Sequence, residues 1–243
     1  MAHFSSGASA GVTRLVLLRH GQSVWNRDKV FTGWSDVVLS PKGRQEAMHA
    51  GDLLRLAGFT FDCCFVSTLQ RATETAKVVL AVIKLDELSI RYSWRLNERH
   101  YGALEGMGRL AAVRKFGIWP VLRTQIRYDG EPPRLETEDP RFPGNQPGYA
   151  AIDKADLPLG ESLKQTALRL QPYWQKVIRP EVAHGRNVLI VSHKNVLRTL
   201  MGQLDQLTER QVMKLRLATG RPLVYELNRE LKPVRRYYAD KMP

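Results

Sequence analysis

Cysteine is almost absent from this chain of 243 residues, with two, adjacent at Cys63-Cys64. Neighbouring side chains on a strand point to opposite faces, so this pair cannot form an ordinary disulfide, and it lacks metal-ligand spacing. That excludes a disulfide-stapled scaffold and a cysteine zinc site; two small buried hydrophobes in a reducing compartment are expected instead. Long apolar runs are missing too, none approaching a membrane span. Met1–Thr13 has neither a basic n-region nor an apolar h-region, so no secretory signal is expected and residues 1–13 read as a disordered leader. The last three residues, Lys241-Met242-Pro243, do not match a peroxisomal tripeptide. The expected location is the cytoplasm or another reducing intracellular compartment, with no membrane partner.

Acidic residues are also in short supply: 24 Asp and Glu against 37 Lys and Arg leave a net charge of +13. Such a field attracts nucleic acid, acidic surfaces or small polyanions. The bases are scattered, with one local cluster at Lys232–Arg236, and no aromatic-interleaved basic helix, zinc spacing or RNA-binding signature accompanies them. A small phosphorylated ligand is therefore favoured over a specific nucleic-acid partner. With 43% hydrophobic and 25% charged residues, a folded α/β chain is expected.

What is present begins with Leu15–Leu18, a short buried strand that runs into Arg19-His20-Gly21. A cation, a nucleophilic imidazole and accessible N–H groups at the carboxyl end of a strand sit where open α/β sheets bind ligands. A second strand, Asn187–Ser192, runs into His193-Lys194-Asn195, 173 positions beyond the first histidine. If the two strands are neighbours, the imidazoles share one pocket. Between them, Ser40-Pro41 opens a helix with its apolar stripe through Ala47, Ala50, Leu53, Leu54 and Ala57. A strand at Phe61–Val66 follows, then a helix capped by Ser67-Thr68 with a core face of Ala72, Ala76, Val79 and Leu80, and a strand near Ser89–Ser93. Alternating strands and helices of these lengths imply βαβ crossovers and a mainly parallel sheet in a three-layer α/β/α fold. Residues 104–159 differ: they hold seven of the thirteen prolines and lose periodicity after Phe116, which reads as a lid or substrate insertion. A long helix from Ser162 through Ile178, a helix at Val196–Leu204 and a last strand at Leu223–Leu227 complete the outline.

Three further positions are placed to serve the two histidines: Arg71 in the first turn after the second strand, Glu98 in Asn97-Glu98-Arg99-His100-Tyr101-Gly102, and Thr32-Gly33. Together with RHGQSVWN, FTGWSD, LSPKGRQEA, STLQRATET, RLNERHYGALEG, LPLGESLK, PYWQKVI and VLIVSHKNVLR, they make the chain resemble the cofactor-dependent phosphoglycerate mutases of the histidine phosphatase superfamily, from about Arg14 to Tyr238. The resemblance implies a phosphoglycerate mutase-like domain over 14–243. It implies His20 as phosphoryl carrier, Arg19, Arg71 and His193 around the transferring phosphorus, and Glu98 as the acid/base on the substrate hydroxyl. It also implies a substrate pocket of Gly21, Gln22, Ser23, Asn26, Thr32, Gly33, Arg99, His100, Tyr101, Arg109, Lys194 and Asn195. The implied cofactor is 2,3-bisphosphoglycerate as priming donor, without a metal; the implied partners are three-carbon phosphorylated acids and further copies of the chain, as dimer or tetramer. A loose phosphoryl-transfer transition state spreads charge over three oxygens, which suits such a ring of fixed cationic donors.

Some positions depart from the family pattern. Gln22 replaces a glutamate, Arg109 a lysine, and Lys194 a glycine; Gln125 and Ile126 fall where paired arginines hold the substrate, with Arg123 and Arg127 nearby to stand in. The family's longer C-terminal tail is also missing. The reading is interconversion of 3-phosphoglycerate and 2-phosphoglycerate through phospho-His20. A phosphatase of the same superfamily is the alternative, and a non-catalytic basic binding protein a third reading.

Overall fold

The computed structural model of the protein describes residues 12–242. The expected leader therefore falls, for residues 1–11, outside the described residues, and Thr13 already belongs to the first strand. In chain order the elements are β1 (Thr13–Arg19), α1 (Val24–Arg27), α2 (Pro41–Leu56), β2 (Cys63–Ser67), α3 (Gln70–Val82) and β3 (Ile90–Ser93). The insertion contributes α4 (Arg109–Phe116) and α5 (Ile118–Ile126). After it come α6 (Leu163–Tyr173), α7 (Arg179–Ala183), β4 (Val188–Ser192), α8 (Lys194–Leu204), α9 (Glu209–Lys214), β5 (Leu223–Leu227) and β6 (Pro233–Tyr238). Ser40 accepts from the Gly43 N–H with Pro41 at the first helical position, so α2 starts as its sequence dictates. No helix among the described residues is long and apolar enough to cross a membrane.

The six strands form one sheet in the order β3-β2-β4-β1-β5-β6. The four strands β3, β2, β4 and β1 run parallel; β5 pairs antiparallel with β1, and β6 antiparallel with β5. Strand alternation divides the core in two. Leu15, Leu17, Cys63, Phe65, Val188 and Ile190 face Leu170, Trp174, Leu197 and Leu200 on one side. Val16, Leu18, Cys64, Val66, Leu189 and Val191 face Ala50, Leu54, Ala72, Ala76 and Val79 on the other. The three layers follow from that division, and the two cysteines, both free and buried, point to opposite faces. β1 and β4 are paired parallel with Arg19 opposite Ser192, which brings the residues that follow them, His20 and His193, side by side.

Several elements differ from expectation. The N-cap of α3 is Leu69 with no side-chain cap, because Ser67 and Thr68 turn their hydroxyls to Asn97. The long helix is capped by Ser162, but widens into a π-turn over Trp174–Ile178, just after Pro172, whose ring removes one ladder N–H. Inside the insertion α5 carries Pro120 in its first turn, where a missing N–H costs nothing. The Lys232–Arg236 cluster starts one residue before β6 and runs into it; β6 is an edge strand whose charged side chains and leading Pro233 discourage pairing with another chain.

Candidate active site

His20 leaves β1 with its N–H on the Ser192 carbonyl, 3.0 Å away. Its Nδ1 lies 2.6 Å from the Gly21 carbonyl, and a carbonyl only accepts, so Nδ1 carries the proton and Nε2 keeps its lone pair. Burial, with Arg71 and Arg19 nearby, holds the imidazole well below the ordinary histidine range and therefore neutral. The His193 ring stands with its centroid 4.9 Å away. Its Nε2 meets Ser67 Oγ at 2.8 Å, and Ser67 in turn donates to Asn97 Oδ1 at 2.7 Å. Asn97 Nδ2 then donates to the Tyr149 hydroxyl. This chain sets the tautomer: His193 Nε2–H donates to Ser67, leaving Nδ1 as a buried lone pair without a partner among the described residues. Burial and Arg71 depress its pKa as well.

Two guanidiniums complete the ring. Arg19 gives Nη1 to the Leu217 carbonyl, and its buried Nε–H has no partner among the described residues. Arg71, fully buried with its pKa lowered to about 10 by desolvation, donates to the Ser35 and Gly33 carbonyls at 2.9 and 2.7 Å. Glu98 Oε1 accepts from the main-chain N–H groups of Arg99 (2.9 Å) and Asn195 (3.1 Å). Its own carbonyl is held by Trp34 Nε1 and Arg169 Nη2. Arg169, paired with Glu161 at 2.6 Å, thus fixes the Glu98 peptide from α6.

Glu105 organises the loop beneath Arg71. Its carboxylate accepts from the Trp34, Ser35 and Tyr101 N–H groups and from the Ser35 hydroxyl. Gly33, at φ +53°, leaves room for it: a Cβ there would sit 1.8 Å from Glu105 Oε1. Desolvation raises its pKa to about 7 against those four hydrogen bonds. Glu105, Arg169 and Tyr149 carry no role in the sequence reading, and Ser67 only that of a helix cap. Glu105 and Asn97 lie inside the motif RLNERHYGALEG, whereas Tyr149 and Arg169 carried no local signal.

A cavity of about 530 Å³ adjoins this cluster, walled by Asn26, Arg99, Tyr101, Arg109, Lys194 and Asn195 among others. Asn195 Nδ2 donates to the Tyr101 hydroxyl. Several expected pocket residues also serve the fold, Arg99 in the wall among them. His100 is fully buried, takes the Gly102 N–H on Nδ1 and touches Glu105 and Trp34, so it serves the interior. Arg99 gives all three of its nitrogens to the Glu161, Thr124 and Gly130 carbonyls and anchors the insertion. Ser23 is committed to the capping box of α1, Gln22 accepts from Ser40, and Thr32 bonds the Val30 carbonyl. Gly21 donates its N–H to Thr75, and its lack of a Cβ lets α2 come close: one would lie 2.1 Å from the Gly43 carbonyl oxygen. Gln125 is in the cavity wall, bonded to Arg109 Nη2 at 2.6 Å, while Arg123 and Arg127 are not; Arg127 pairs with Asp129.

Comparison with known proteins gives consistent matches. Residues 15–240 match the family described as Histidine phosphatase superfamily (branch 1). The chain is 59% identical to 2,3-bisphosphoglycerate-dependent phosphoglycerate mutase 1 of Nitrosomonas europaea, over 93% of this chain and 96% of that one. It is 46% identical to the 2,3-bisphosphoglycerate-dependent phosphoglycerate mutase of Hamiltonella defensa subsp. Acyrthosiphon pisum, over 93% and 91%. Among solved structures, the mycobacterial glucosyl-3-phosphoglycerate phosphatase with VO3 shares the fold at TM-score 0.69 and 22% identity, covering 93% of this chain and 97% of that one.

Proposed function

The chain belongs to branch 1 of the histidine phosphatase superfamily, and from that membership and its mutase relatives we propose that it interconverts 3-phosphoglycerate and 2-phosphoglycerate through phospho-His20. The observation that carries the proposal is the state of His20: a neutral, buried imidazole with Nδ1–H committed to Gly21 and a free Nε2 beside two guanidiniums and a second imidazole. The Nε2 lone pair attacks phosphorus, the ester P–O bond breaks, and the departing alkoxide takes a proton from Glu98. In the return step Glu98 takes the acceptor hydroxyl's proton, that oxygen attacks phosphorus, and the P–N bond breaks. Arg71 and the unpartnered Arg19 Nε–H hold the equatorial oxygens. That unsatisfied buried donor and the cationic cavity fit 2,3-bisphosphoglycerate, which supplies the first phosphoryl group when bound.

Water in place of the acceptor hydroxyl makes the same site a phosphatase. Gln125 in the cavity wall, where the resemblance places a clamping arginine, favours a measurable hydrolytic fraction. Mutase and phosphatase rates, measured side by side with and without 2,3-bisphosphoglycerate, test the assignment. Mutase turnover should dominate and depend on the bisphosphate, and Glu98→Gln should lower kcat by roughly 10²–10⁴-fold. Hydrolysis alone, indifferent to the bisphosphate, would contradict the assignment.

A further inference from the structure

The cavity wall contains five cations, Lys29, Arg99, Arg109, Lys194 and Arg198, and they are not equivalent. Arg99 is tied to three main-chain carbonyls. Arg198 gives Nε and Nη2 to the Leu215 and Met213 carbonyls, and Arg109 gives Nη2 to Gln125. Lys29 is exposed. Lys194 is the half-buried one, and its ammonium has no hydrogen bond or ion pair among the described residues. Arg19, Arg99 and Arg198 crowd it, with Glu98 as the opposing charge, and burial together with those cations lowers its pKa. Holding a cation out of water without an anionic partner is unfavourable, so such a group favours binding of an anion.

Lys194 also begins α8 directly after His193, and the next residue, Asn195, gives its N–H to Glu98. The cavity wall includes Lys194 and Asn195 but neither His20 nor His193, so an anion on Lys194 would lie in the cavity beside Glu98 rather than among the residues around His20. α5 supplies no such charge there: Gln125 is neutral and Ile126 is 57% exposed.

We propose that Lys194 binds the anionic end of the substrate remote from His20, so that the clamp cation comes from α8 rather than from α5. The inference rests on the mutase reading for the identity of the ligand, and on the unpartnered ammonium for the site. A charge-assisted contact of this kind corresponds to about ten- to a hundredfold in binding.

The full-length chain and its Lys194→Gly, Lys194→Gln and Lys194→Arg variants test it. The readouts are kcat and KM for 3-phosphoglycerate, the calorimetric Kd for 2,3-bisphosphoglycerate, and inhibition by vanadate, which probes the phosphoryl position at His20. Lys194→Gly and Lys194→Gln should raise KM and Kd at least tenfold, with a much smaller change in kcat and in vanadate inhibition. Lys194→Arg should recover most of the affinity. KM and Kd within twofold of the parent in both neutral variants would overturn the proposal. So would an equal loss of vanadate inhibition in all three variants, which would place Lys194 in the fold or at the transferring phosphoryl group. A parent without mutase turnover would sink the mutase reading, while the Kd series would still report on Lys194.

Discussion

At the scale of single residues, the candidate site is marked by fixed tautomers and by buried atoms without partners among the described residues as much as by charge. His20 and His193 have opposite tautomers, one donating Nδ1–H to a carbonyl, the other Nε2–H to a serine, and both are kept neutral by burial and by guanidiniums. Strand patterning made the two histidines legible in the sequence, together with Arg19, Arg71 and Glu98. It did not make Ser67, Tyr149 or Arg169 legible, because their roles depend on contacts across 126, 52 and 71 positions. Nor did it show that His100 serves the interior, since a motif does not reveal which way a side chain turns. Glu105 carries a prediction at this scale. Its folded pKa of about 7 lies above the unfolded carboxyl value of about 4.3, so the fold binds its proton more tightly. That contribution to stability is complete below pH 4.3 and is lost as pH rises through 7. Thermal unfolding of the parent and Glu105→Gln, followed from pH 4.5 to 8, should shift in favour of the variant as pH rises. A difference in Tm that stays constant with pH would contradict the buried, proton-holding carboxyl.

Among elements, the central parallel strands β1, β2 and β4 were readable because they are buried on both faces, and α2 and α3 because they show a 3.6-residue stripe. α5 and β6 were not readable. α5 buries only Val121 and Thr124 while exposing Ile118 (61%) and Trp119 (73%), so its apolar residues do not single out the core face, and the prolines around it suggest a loop. β6 is a charged edge strand with no buried alternation. The docking of α2 against the His20 turn is a backbone-to-backbone contact, Gly21 on Gly43, that no side chain can relax. Gly21→Ala should therefore displace the turn, reduce turnover by more than a hundredfold and lower Tm by several degrees. The same change at Gly108, where an added Cβ meets nothing within 4 Å, should leave both close to the parent. Equal behaviour of the two variants would show that the turn tolerates the close approach by moving α2.

For the molecule as a whole, the sheet order explains why residues far apart in sequence meet: β1 and β4 are neighbours, and β2 flanks β4 on its other side. His20, Arg71 and His193 all follow the carboxyl ends of these three strands. The net charge of +13 has a local counterpart in the cavity, where five cations gather, and this suits a small polyanion. The central claim is that His20 carries the phosphoryl group. It is tested most directly by incubating the chain with 2,3-bisphosphoglycerate, quenching in alkali, and locating covalent phosphate by peptide mass spectrometry. One acid-labile, alkali-stable phosphate is expected on the peptide containing His20 and none on the His20→Ala variant; stoichiometric phosphate on His193, or persisting after His20→Ala, would contradict the account.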